Sequence, residues 1–226
     1  MKTHIVVLSG AGISAESGLK TFRDGGGLWE NHHIEDVATP EAWHRNRALV
    51  LRFYNERRKA MLEARPNPGH LEIASWEKYA RVSVITQNVD DLHERAGSTS
   101  VLHLHGELAK ARSTTDPSLI SPIQGWEILE GDLCPLGSQL RPHIVWFGEA
   151  VTEMPRAEEI TATADVLVVV GTSLQVYPAA SLAWAAPEKA RRFLVDPNPP
   201  AAPDFEILPH PASTGLQKVT QKLGFA

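Results

Sequence analysis

The chain has 226 residues, which is long enough to bury a sizeable core in one domain or in a domain with a large insertion. Hydrophobic residues make up 42% of it and charged residues 22%, as in ordinary globular proteins, and the net charge of −5 gives no reason to expect a nucleic-acid partner. Apolar runs stay well below the ~20 residues that cross a bilayer, so we expect no membrane partner. Because Cys134 is the single cysteine, an intrachain disulfide is excluded, and we expect a cytoplasmic protein.

Short apolar runs rich in β-branched residues alternate with helical patterns along the chain, which predicts βαβ units around a parallel sheet. These runs cover residues 5–8, 82–85, 144–147, 166–170 and 193–195. The run 166–170 is continuously apolar, as a strand covered by helices on both faces should be. We therefore predict an α/β fold with a Rossmann-like parallel sheet. Candidate binding segments follow three of the runs, at Gly10, Gln87 and Gly171, where open α/β sheets bind ligands.

Two stretches break this alternation. Residues 40–65 have the pattern of one long helix, with Thr39 as its N-cap and Pro66 just past its end. Residues 107–141 show no sustained periodicity and contain several proline, glycine, serine and threonine residues. We interpret both stretches as parts of a smaller lobe that is inserted into a nucleotide-binding domain.

This interpretation makes the chain a single domain with two lobes, over residues 1–226. The predicted boundaries are about 1–30, 80–105 and 143–226 for the large lobe, and about 31–79 and 106–142 for the small lobe. Near the end, residues 196–211 are rich in proline and should form an extended connection. A short closing helix is predicted over 213–223.

The segment after the first apolar run contains Gly10, Gly12 and Ala15 in the G-x-G-x-x-G/A spacing of dinucleotide-binding turns. The glycines let the backbone approach a pyrophosphate, and the N-terminus of the next helix supplies free N–H groups. By itself this pattern is weak, because a glycine pair after a strand is also typical of a tight turn. Motifs further along the chain favour nucleotide binding.

Four such motifs follow. They are Thr21-Phe22-Arg23-Asp24, Gln87-Asn88-Val89-Asp90, His103-Leu104-His105-Gly106 and Gly171-Thr172-Ser173. In this order and at these separations they resemble the sirtuins, the NAD-dependent protein lysine deacylases, over roughly residues 4–215. The resemblance implies NAD as the cofactor and acyl-lysine proteins or peptides as substrates, with nicotinamide and O-acyl-ADP-ribose as products. We expect a deacetylase and desuccinylase that acts as a monomer.

The same resemblance assigns the general base to His105, which is followed by glycine. Histidine suits this task because its ordinary pKa of ~6.5 lets it accept a proton near neutral pH. If the segment is extended, His103 shares a strand face with His105, so spacing alone leaves both open, and the resemblance selects His105. Asn88 matches the catalytic position near the ribose hydroxyls, and Asp90 matches the one that binds the carboxamide. Alternatively Asn88 and Asp90 cap a helix over 91–96, and the two roles are compatible.

Other positions match residues that hold the cofactor. Phe22 and Arg23 match a loop that covers the nicotinamide ribose, and arginine offers phosphate a planar, permanently charged group. Asp196 and Asn198 are rival candidates for the adenosine ribose. The complete set that we predict to bind the cofactor is Gly10, Ala11, Gly12, Ser14, Glu16, Thr21, Phe22, Arg23, Trp29, Gln87, Asn88, Asp90, His105, Gly171, Thr172, Ser173, Asp196, Asn198 and Ala212.

Residues 145–149 and 174–177 resemble the two sirtuin segments between which the substrate peptide adds as a strand, held by main-chain hydrogen bonds. On the long helix, Tyr54 and Arg57 share one face and match the Tyr-x-x-Arg pair of sirtuins that accept acidic acyl groups. Arg57 could bind a succinyl carboxylate bidentately. The alternative is a solvated basic face, since the helix carries several other arginines. The predicted substrate set is Tyr54, Arg57, Val145, Phe147, Gly148, Glu149 and Tyr177.

The clearest departure from the family concerns zinc. Most sirtuins carry two cysteine pairs in the small lobe, whereas this interval holds only Cys134, and Ser113 stands where a cysteine would be expected. One thiolate cannot build a four-coordinate site, so we predict no metal. We expect apolar packing of Trp126, Ile128 and Leu129 to hold the lobe instead.

The motifs leave two other functions open. One is a protein ADP-ribosyltransferase or NAD hydrolase on the same scaffold, which would use the same cleavage of NAD with a different acceptor. The other is a non-catalytic module that binds NAD or ADP-ribose.

Overall fold

The computed structural model describes residues 2–20 and 32–225. The strands, in chain order, are β1 His4–Ser9, β2 Arg81–Thr86, β3 Val101–His103, β4 Gly106–Ser113, β5 Ile120–Pro122, β6 Leu140–Ile144, β7 Val166–Val170, β8 Arg191–Val195 and β9 Glu206–Leu208. Six of them form a sheet in the order β3-β2-β1-β7-β8-β9, and each neighbouring pair in it is parallel. The others form an antiparallel sheet in the order β5-β4-β6. This arrangement confirms the predicted α/β, Rossmann-like class.

Helices cover both faces of the parallel sheet. The helices of the described residues are α1 Gly12–Ala15, α2 Ile34–Val37, α3 Pro40–Arg45, α4 Arg47–Glu63, α5 Pro68–Ser75, α6 Leu92–Arg95, α7 Met154–Thr161 and α8 Ala212–Leu223, with short 3₁₀ helices at Trp76–Lys78 and Ala179–Trp184. One face packs against α5 and α8, and the other packs against α7 and the second 3₁₀ helix. Every residue of β7 is buried, because its alternate side chains enter opposite helical layers. In the described part of the chain, none of the helices is both long and apolar enough to cross a membrane.

The stretch 40–65 forms two helices rather than the single one predicted. α3 ends one residue before Asn46 and α4 begins one residue after it, because Asn46 leaves the helical region at φ −151° and ψ 74°. Its side chain accepts a hydrogen bond from Leu49 N at 3.1 Å and so caps α4. Thr39 is the N-cap of α3, as predicted, and accepts a hydrogen bond from Ala42 N at 3.0 Å.

The prediction of a parallel strand over 144–147 is wrong. β6 ends at Ile144 and pairs antiparallel with β4 in the small sheet. Ile144 and Trp146 are buried, while Phe147 is 45% exposed, so alternate side chains of this run face different surroundings. The stretch 107–141 also contains most of β4 and all of β5, although its sequence shows no sustained periodicity.

Residues 196–211, predicted as an extended connection, contain the strand β9 at the edge of the parallel sheet, which the prediction did not include. The register of this strand pairs Leu208 with Val195 of β8. An edge strand needs main-chain partners on one side only, so prolines are tolerated around it. The closing helix predicted over 213–223 is confirmed as α8.

The boundary between the two lobes that was predicted near residue 79 does not coincide with a change from one hydrophobic core to the other. α5 and the 3₁₀ helix after it, which that boundary places in the small lobe, contribute Ile73 and Trp76 to the core of the parallel sheet. A separate core joins α2, α3 and α4 to the small sheet and contains Trp43, Tyr54 and Trp146. The residue limits of the two lobes stay a prediction.

Buried hydrogen bonds tie the loop after β5 to α4. Asn55 Nδ2 donates to the Ile128 carbonyl at 3.0 Å, and its Oδ1 accepts from Ile128 N at 2.9 Å. Arg58, also buried, donates to Asn55 Oδ1 and to two carbonyls of the lobe. Ile128 is buried as expected, but Leu129 is 54% exposed, so the prediction that Leu129 helps to hold the lobe by apolar packing is wrong.

Ser113, which stands where the family pattern has a cysteine, lies in a cluster of small polar side chains. Its Oγ is 2.8 Å from Ser138 Oγ, and the sulfur of Cys134 is 3.1 Å from Ser138 Oγ and 3.3 Å from Ser113 Oγ. Within residues 2–20 and 32–225, no group of three His, Cys, Asp or Glu side chains is arranged to hold a metal ion. The absence of zinc stays a prediction.

Candidate active site

A cavity of about 760 Å³ opens at the carboxyl edge of the parallel sheet. The turns that follow β1, β2, β7 and β8 line one side of it, and α4 and residues 144–149 line another. The chain order reverses between β1 and β7, and open α/β sheets bind ligands at such a switch point. The volume lies within the range of ~300–1,000 Å³ that is usual for pockets that hold small molecules and cofactors.

Most of the residues predicted for the site line this cavity. Those predicted for the cofactor are Gly10, Ala11, Gly12, Ser14, Glu16, Gln87, Asn88, Asp90, His105, Gly171, Thr172, Ser173, Asp196 and Asn198, and those predicted for the substrate are Tyr54, Arg57, Val145, Phe147, Gly148, Glu149 and Tyr177. Ala212 is instead buried beside Gly69, and its neighbour Pro211 lines the cavity. Thr21, Phe22, Arg23 and Trp29 lie outside the described residues.

Gly10 and Gly12 are needed because the turn after β1 packs closely against the turn after β7. A Cβ on Gly10 would lie 2.7 Å from the Thr172 side chain, and one on Gly12 would lie 2.7 Å from Gly171 Cα. The N–H groups of both glycines donate to the carbonyls of Val170 and Gly171. These two N–H groups are therefore engaged within the protein, so the reason that we gave for the glycines, access of a pyrophosphate to their backbone, is incomplete.

Ser14, Asn88 and Asp90 form a buried chain of hydrogen bonds in the cavity wall. Asn88 Nδ2 donates to Ser14 Oγ at 3.1 Å, and Ser14 Oγ donates to Asp90 Oδ2 at 3.0 Å. Burial raises the pKa of Asp90, against smaller effects of the Leu92 N–H and the Ser14 hydroxyl. The Leu92 N–H donates to Asp90 Oδ1 at 3.2 Å, so Asp90 also holds the start of α6, as the capping alternative predicts. The Asn88 side chain binds Ser14 instead.

His105 carries its proton on the nitrogen that faces the protein. Its Nδ1 lies 3.0 Å from the Gln87 carbonyl, which can only accept, so Nδ1 bears the hydrogen and Nε2 the lone pair. Burial lowers the pKa of His105, against a smaller effect of the Gln87 carbonyl, so the ring is neutral at neutral pH. This is the form that a general base requires. His103 differs, because Asn88 and Glu94 engage both of its ring nitrogens.

Tyr54 and Arg57 line the part of the cavity next to the small sheet. Tyr54 is fully buried, and this burial raises its pKa, against smaller effects of Arg57 and the Trp146 indole, so the phenol stays protonated. The Arg57 guanidinium lies over the Phe53 ring, 5.7 Å from its centroid. An apolar pocket with a phenol and a guanidinium suits an acyl chain that ends in a polar or acidic group.

The carboxylate of Glu149 is held within the protein. It accepts hydrogen bonds from Arg112 at 3.0 Å, from Arg141 at 2.7 Å and from Trp146 N at 2.8 Å. Burial acts to raise the pKa of Glu149, but these partners hold it below its ordinary value. The Arg141 guanidinium lies 3.2 Å from the centroid of the Trp146 ring. Glu149 therefore lines the cavity mainly as a clamp that fixes the shape of residues 145–149.

Main-chain groups of the predicted peptide-binding segment are partly engaged as well. Val145 N donates to the His105 carbonyl at 2.9 Å, and Phe147 N donates to the Ala38 carbonyl at 3.0 Å. A peptide that adds here as a strand must therefore pair with other main-chain groups of residues 145–149. Tyr177, which is 70% exposed, lies at the edge of the cavity.

The rival candidates Asp196 and Asn198 lie in one turn after β8. Asp196 is 2% exposed, and its Oδ1 accepts a hydrogen bond from Asn198 N at 2.9 Å. At the end of α1, the Glu16 carboxylate accepts from Ser213 N at 3.0 Å and from Ser213 Oγ at 2.6 Å, which ties α1 to the start of α8.

Comparison with known proteins identifies this arrangement. The model of the Sir2 family matches residues 10–178. The chain belongs to the Sir2 family. The resemblance to sirtuins that the motifs carry is thereby confirmed.

Sir2 proteins of other organisms match the chain over nearly its whole length. A protein of Bacteroides thetaiotaomicron named NAD-dependent protein deacylase is 49% identical over 229 residues, which cover 97% of each chain. A protein of the same name from Aggregatibacter actinomycetemcomitans is 56% identical over 199 residues, 88% of this chain and 95% of the relative. A solved complex of a Sir2 homologue with NAD has a TM-score of 0.88 and 35% identity, covering 99% of this chain and 90% of that one.

Sequence reasoning missed several apolar residues of this Sir2 cleft. They include Ala60, Met61, Val89, Leu108 and Trp146. Ala60 lies three positions after Arg57, and Met61 lies seven positions after Tyr54, so helical periodicity could have found both. Val89 and Trp146 lie inside motifs that the sequence analysis identified. They were missed because apolar residues at such positions are typical of the hydrophobic core.

Proposed function

We infer that this Sir2 chain is an NAD-dependent protein-lysine deacylase. The observation that carries the inference is one cleft in which the neutral base His105 and the buried chain of Ser14, Asn88 and Asp90 share a cavity with Tyr54 and Arg57. The cleft therefore combines a proton acceptor, polar groups suited to a nucleotide and an apolar pocket with room for a modified side chain.

The residues present fit NAD. Asp90 is a buried carboxylate that accepts from Ser14 and Leu92, and its remaining lone pairs can accept from the nicotinamide carboxamide. Gly171 and Ser173 would lie on the side of the adenosine and diphosphate, and Asp196 is suited to a ribose diol. When bound, NAD supplies an electrophilic ribose carbon with nicotinamide as its leaving group and takes up the acyl group.

The chain's own residues supply the proton transfer and the positioning. His105 accepts a proton at Nε2 from a ribose hydroxyl, while its Nδ1–H stays on the Gln87 carbonyl and stabilises the imidazolium that forms. Asn88, fixed by Ser14, orients the ribose hydroxyls. Trp146 and Tyr54, both buried, keep water away from the acyl chain.

We further propose that the enzyme removes both acetyl and succinyl groups. Arg57 is the cationic partner that a succinyl carboxylate needs in an apolar pocket, and Tyr54 is a protonated phenol that can donate a second hydrogen bond. An acetyl group is smaller and neutral, so the same pocket can accept it without a charged partner.

Mass spectrometry of the products tests the reaction. The protein is incubated with NAD and matched acetyl-lysine and succinyl-lysine peptides, and the expected products are free lysine peptide, nicotinamide and O-acyl-ADP-ribose. ADP-ribose attached to the protein, or free ADP-ribose without deacylation, would support the transferase or hydrolase alternative. NAD binding without release of nicotinamide would support the non-catalytic module.

We propose a monomer without a nucleic-acid partner, in line with a net charge of −5, and a cytoplasmic location, in line with a single cysteine. Light scattering of the purified protein tests the first of these.

A further inference from the structure

His103 and His105 form hydrogen bonds with two consecutive carbonyls of the turn after β2. His103 Nδ1 lies 3.0 Å from the Asn88 carbonyl, and His105 Nδ1 lies 3.0 Å from the Gln87 carbonyl. Between them, Leu104 N donates to the Thr86 carbonyl at 2.9 Å and extends the pairing of β3 with β2. The segment 103–105 therefore fixes the backbone that carries the predicted catalytic residue Asn88.

The second nitrogen of His103 is also bound by an acceptor. Its Nε2 lies 2.8 Å from Glu94 Oε1, and the pKa of Glu94 lies below its ordinary value, so this carboxylate is ionised. Because neither a carboxylate nor a carbonyl can donate, both nitrogens of His103 must carry hydrogen. The ring is then an imidazolium whose side chain is only 8% exposed.

The surroundings of His103 support this charge. Burial acts to lower its pKa, but the Glu94 carboxylate, the Asn88 carbonyl and the more distant Glu107 raise it above the ordinary value. The positive charge of His103 acts to lower the pKa of Asp90, on the turn after β2, against the larger effect of burial. Burial lowers the pKa of His93 on α6, and the charges of His70 and His103 lower it further, so His93 stays neutral. A cation at this place costs free energy unless it is paired, so its hydrogen bonds have to be maintained.

We propose that His103 is a positioning residue of the deacylation reaction, whose Nδ1–H holds the Asn88 carbonyl and so keeps the Asn88 side chain and His105 aligned in the cleft. This inference rests on the proposed deacylase function. It differs from a purely structural role, in which the ion pair with Glu94 would be the important contact.

Two substitutions separate the two hydrogen bonds. In His103→Asn the side-chain amide nitrogen lies near the position of Nδ1, so the contact with the Asn88 carbonyl is kept and the one with Glu94 is lost. In His103→Gln the amide nitrogen reaches toward the position of Nε2, so the contact with Glu94 is kept and the one with Asn88 is lost. His4→Asn is the matched control, because His4 is a buried histidine with both ring nitrogens bonded, at the amino end of the central strand β1 and away from the cleft.

The measurements are kcat, KM for an acetyl-lysine peptide at saturating NAD, and Tm. We expect His103→Asn to keep kcat within about threefold, and His103→Gln to lose ~10-fold to 100-fold in kcat with little change in KM, since small misalignments of reacting groups have effects of this order. His4→Asn should lower Tm and leave kcat unchanged. Equal kcat for the two His103 variants, or a loss of kcat that follows Tm across all three, would overturn the proposal.

Two further measurements keep the proposal testable if a His103 variant folds poorly. Glu94→Gln removes the ion pair but leaves the Nδ1 contact, so kcat should stay near that of the wild type, and a loss as large as that of His103→Gln would contradict the proposal. Ring ¹⁵N NMR of the protein without NAD should show both nitrogens of His103 protonated at neutral pH, and an Nδ1 without hydrogen would contradict the proposal. An inactive wild type would instead overturn the proposed function.

Discussion

Two histidines two positions apart take different protonation states in this protein because their ring nitrogens meet different partners. The Gln87 carbonyl binds one nitrogen of His105, whose pKa is lowered by burial, whereas Glu94 and the Asn88 carbonyl bind both nitrogens of His103, whose pKa is raised. The sequence around the two histidines does not show this difference, because their hydrogen-bond partners come from other elements. Spacing alone does not distinguish the base from its neighbour, whereas the hydrogen-bond partners that the fold supplies do.

Substitution of the base is the first test at the residue scale. His105→Ala should cut deacylation by ~10²-fold or more, the usual contribution of a general base, and should leave NAD binding largely intact. In the wild type, the acid limb of kcat/KM should lie below the ordinary histidine value of 6.5, because burial lowers the pKa of His105 and the ring must be neutral to act. Steady-state kinetics and calorimetric NAD titration measure both. A loss below tenfold, or an acid limb above 6.5, would show that another group is the base.

Arg57→Met tests the acyl pocket. A succinyl carboxylate would lose its charged partner, which is worth roughly 2–5 kcal/mol when one member of a buried pair is truncated, whereas an acetyl group has no carboxylate to lose. The ratio of kcat/KM for matched succinyl and acetyl peptides should therefore fall. Arg52→Met is the matched control, because Arg52 is an exposed arginine of the same helix. Equal losses on both peptides would mean that Arg57 serves the fold or the peptide backbone.

At the scale of elements, the sequence predicted best where one physical constraint dominates. β7 was predicted residue for residue, because a strand buried on both faces admits only apolar side chains. The run 144–147 is also continuously apolar, but Ile144 and Trp146 are buried while Phe147 is 45% exposed, and all four residues line the cleft. Local pattern cannot show that an apolar run borders a cavity. The break in the helix at Asn46 was also missed, because Asn is only moderately unfavourable inside a helix and its role as the N-cap of α4 was not recognised in the sequence.

The anchor of the small lobe on α4 gives an element-scale prediction. Asn55→Ala removes both hydrogen bonds to Ile128 and one partner of the buried Arg58 guanidinium, so we expect a loss of about 2–4 kcal/mol in the free energy of unfolding. Urea unfolding measures it. Glu56→Ala, an exposed neighbour on α4, should change stability by less than about 0.5 kcal/mol. Similar losses of stability in the two variants would show that the hydrogen bonds of Asn55 do not hold the small lobe on α4.

Stability without metal is a prediction for the whole molecule. We expect the hydrogen bonds of Asn55 and Arg58, and the cluster of Ser113, Cys134 and Ser138, to stabilise the small lobe without the folding energy that a structural zinc would supply. We expect an excess of chelator to leave Tm unchanged and elemental analysis to find no stoichiometric zinc. Melting on addition of chelator, with return of Tm on addition of zinc, would contradict this.

The response of the whole molecule to acid follows from its buried histidines. The pKa of His70 falls to about 4 because of burial, and burial holds the pKa of His93, whose ring lies 5.0 Å away, well below its ordinary value. The unfolded chain binds protons at these side chains near pH 6.5, but the folded chain does not, so unfolding takes up protons in this window. Stability is therefore fully present above pH 6.5 and is lost as pH falls toward 4, by about 3 kcal/mol for His70 alone. His103 acts in the opposite direction, because its pKa is raised in the folded state, and its contribution is lost as pH rises through that pKa.

Urea unfolding at several pH values between 7.5 and 4.5 measures this dependence. The matched variant is His70→Asn, whose side-chain oxygen can still accept the hydrogen bond that Asn67 N donates to the His70 Nδ1, but which does not titrate. Its stability should fall less steeply with decreasing pH, by up to about 1.4 kcal/mol per pH unit, the effect of one proton. The slope is the decisive quantity, because the substitution also changes packing by a constant amount at every pH. Equal slopes for the variant and the wild type would mean that His70 takes up its proton at the same pH in the folded and the unfolded chain, and that the acid sensitivity of the molecule arises from other groups.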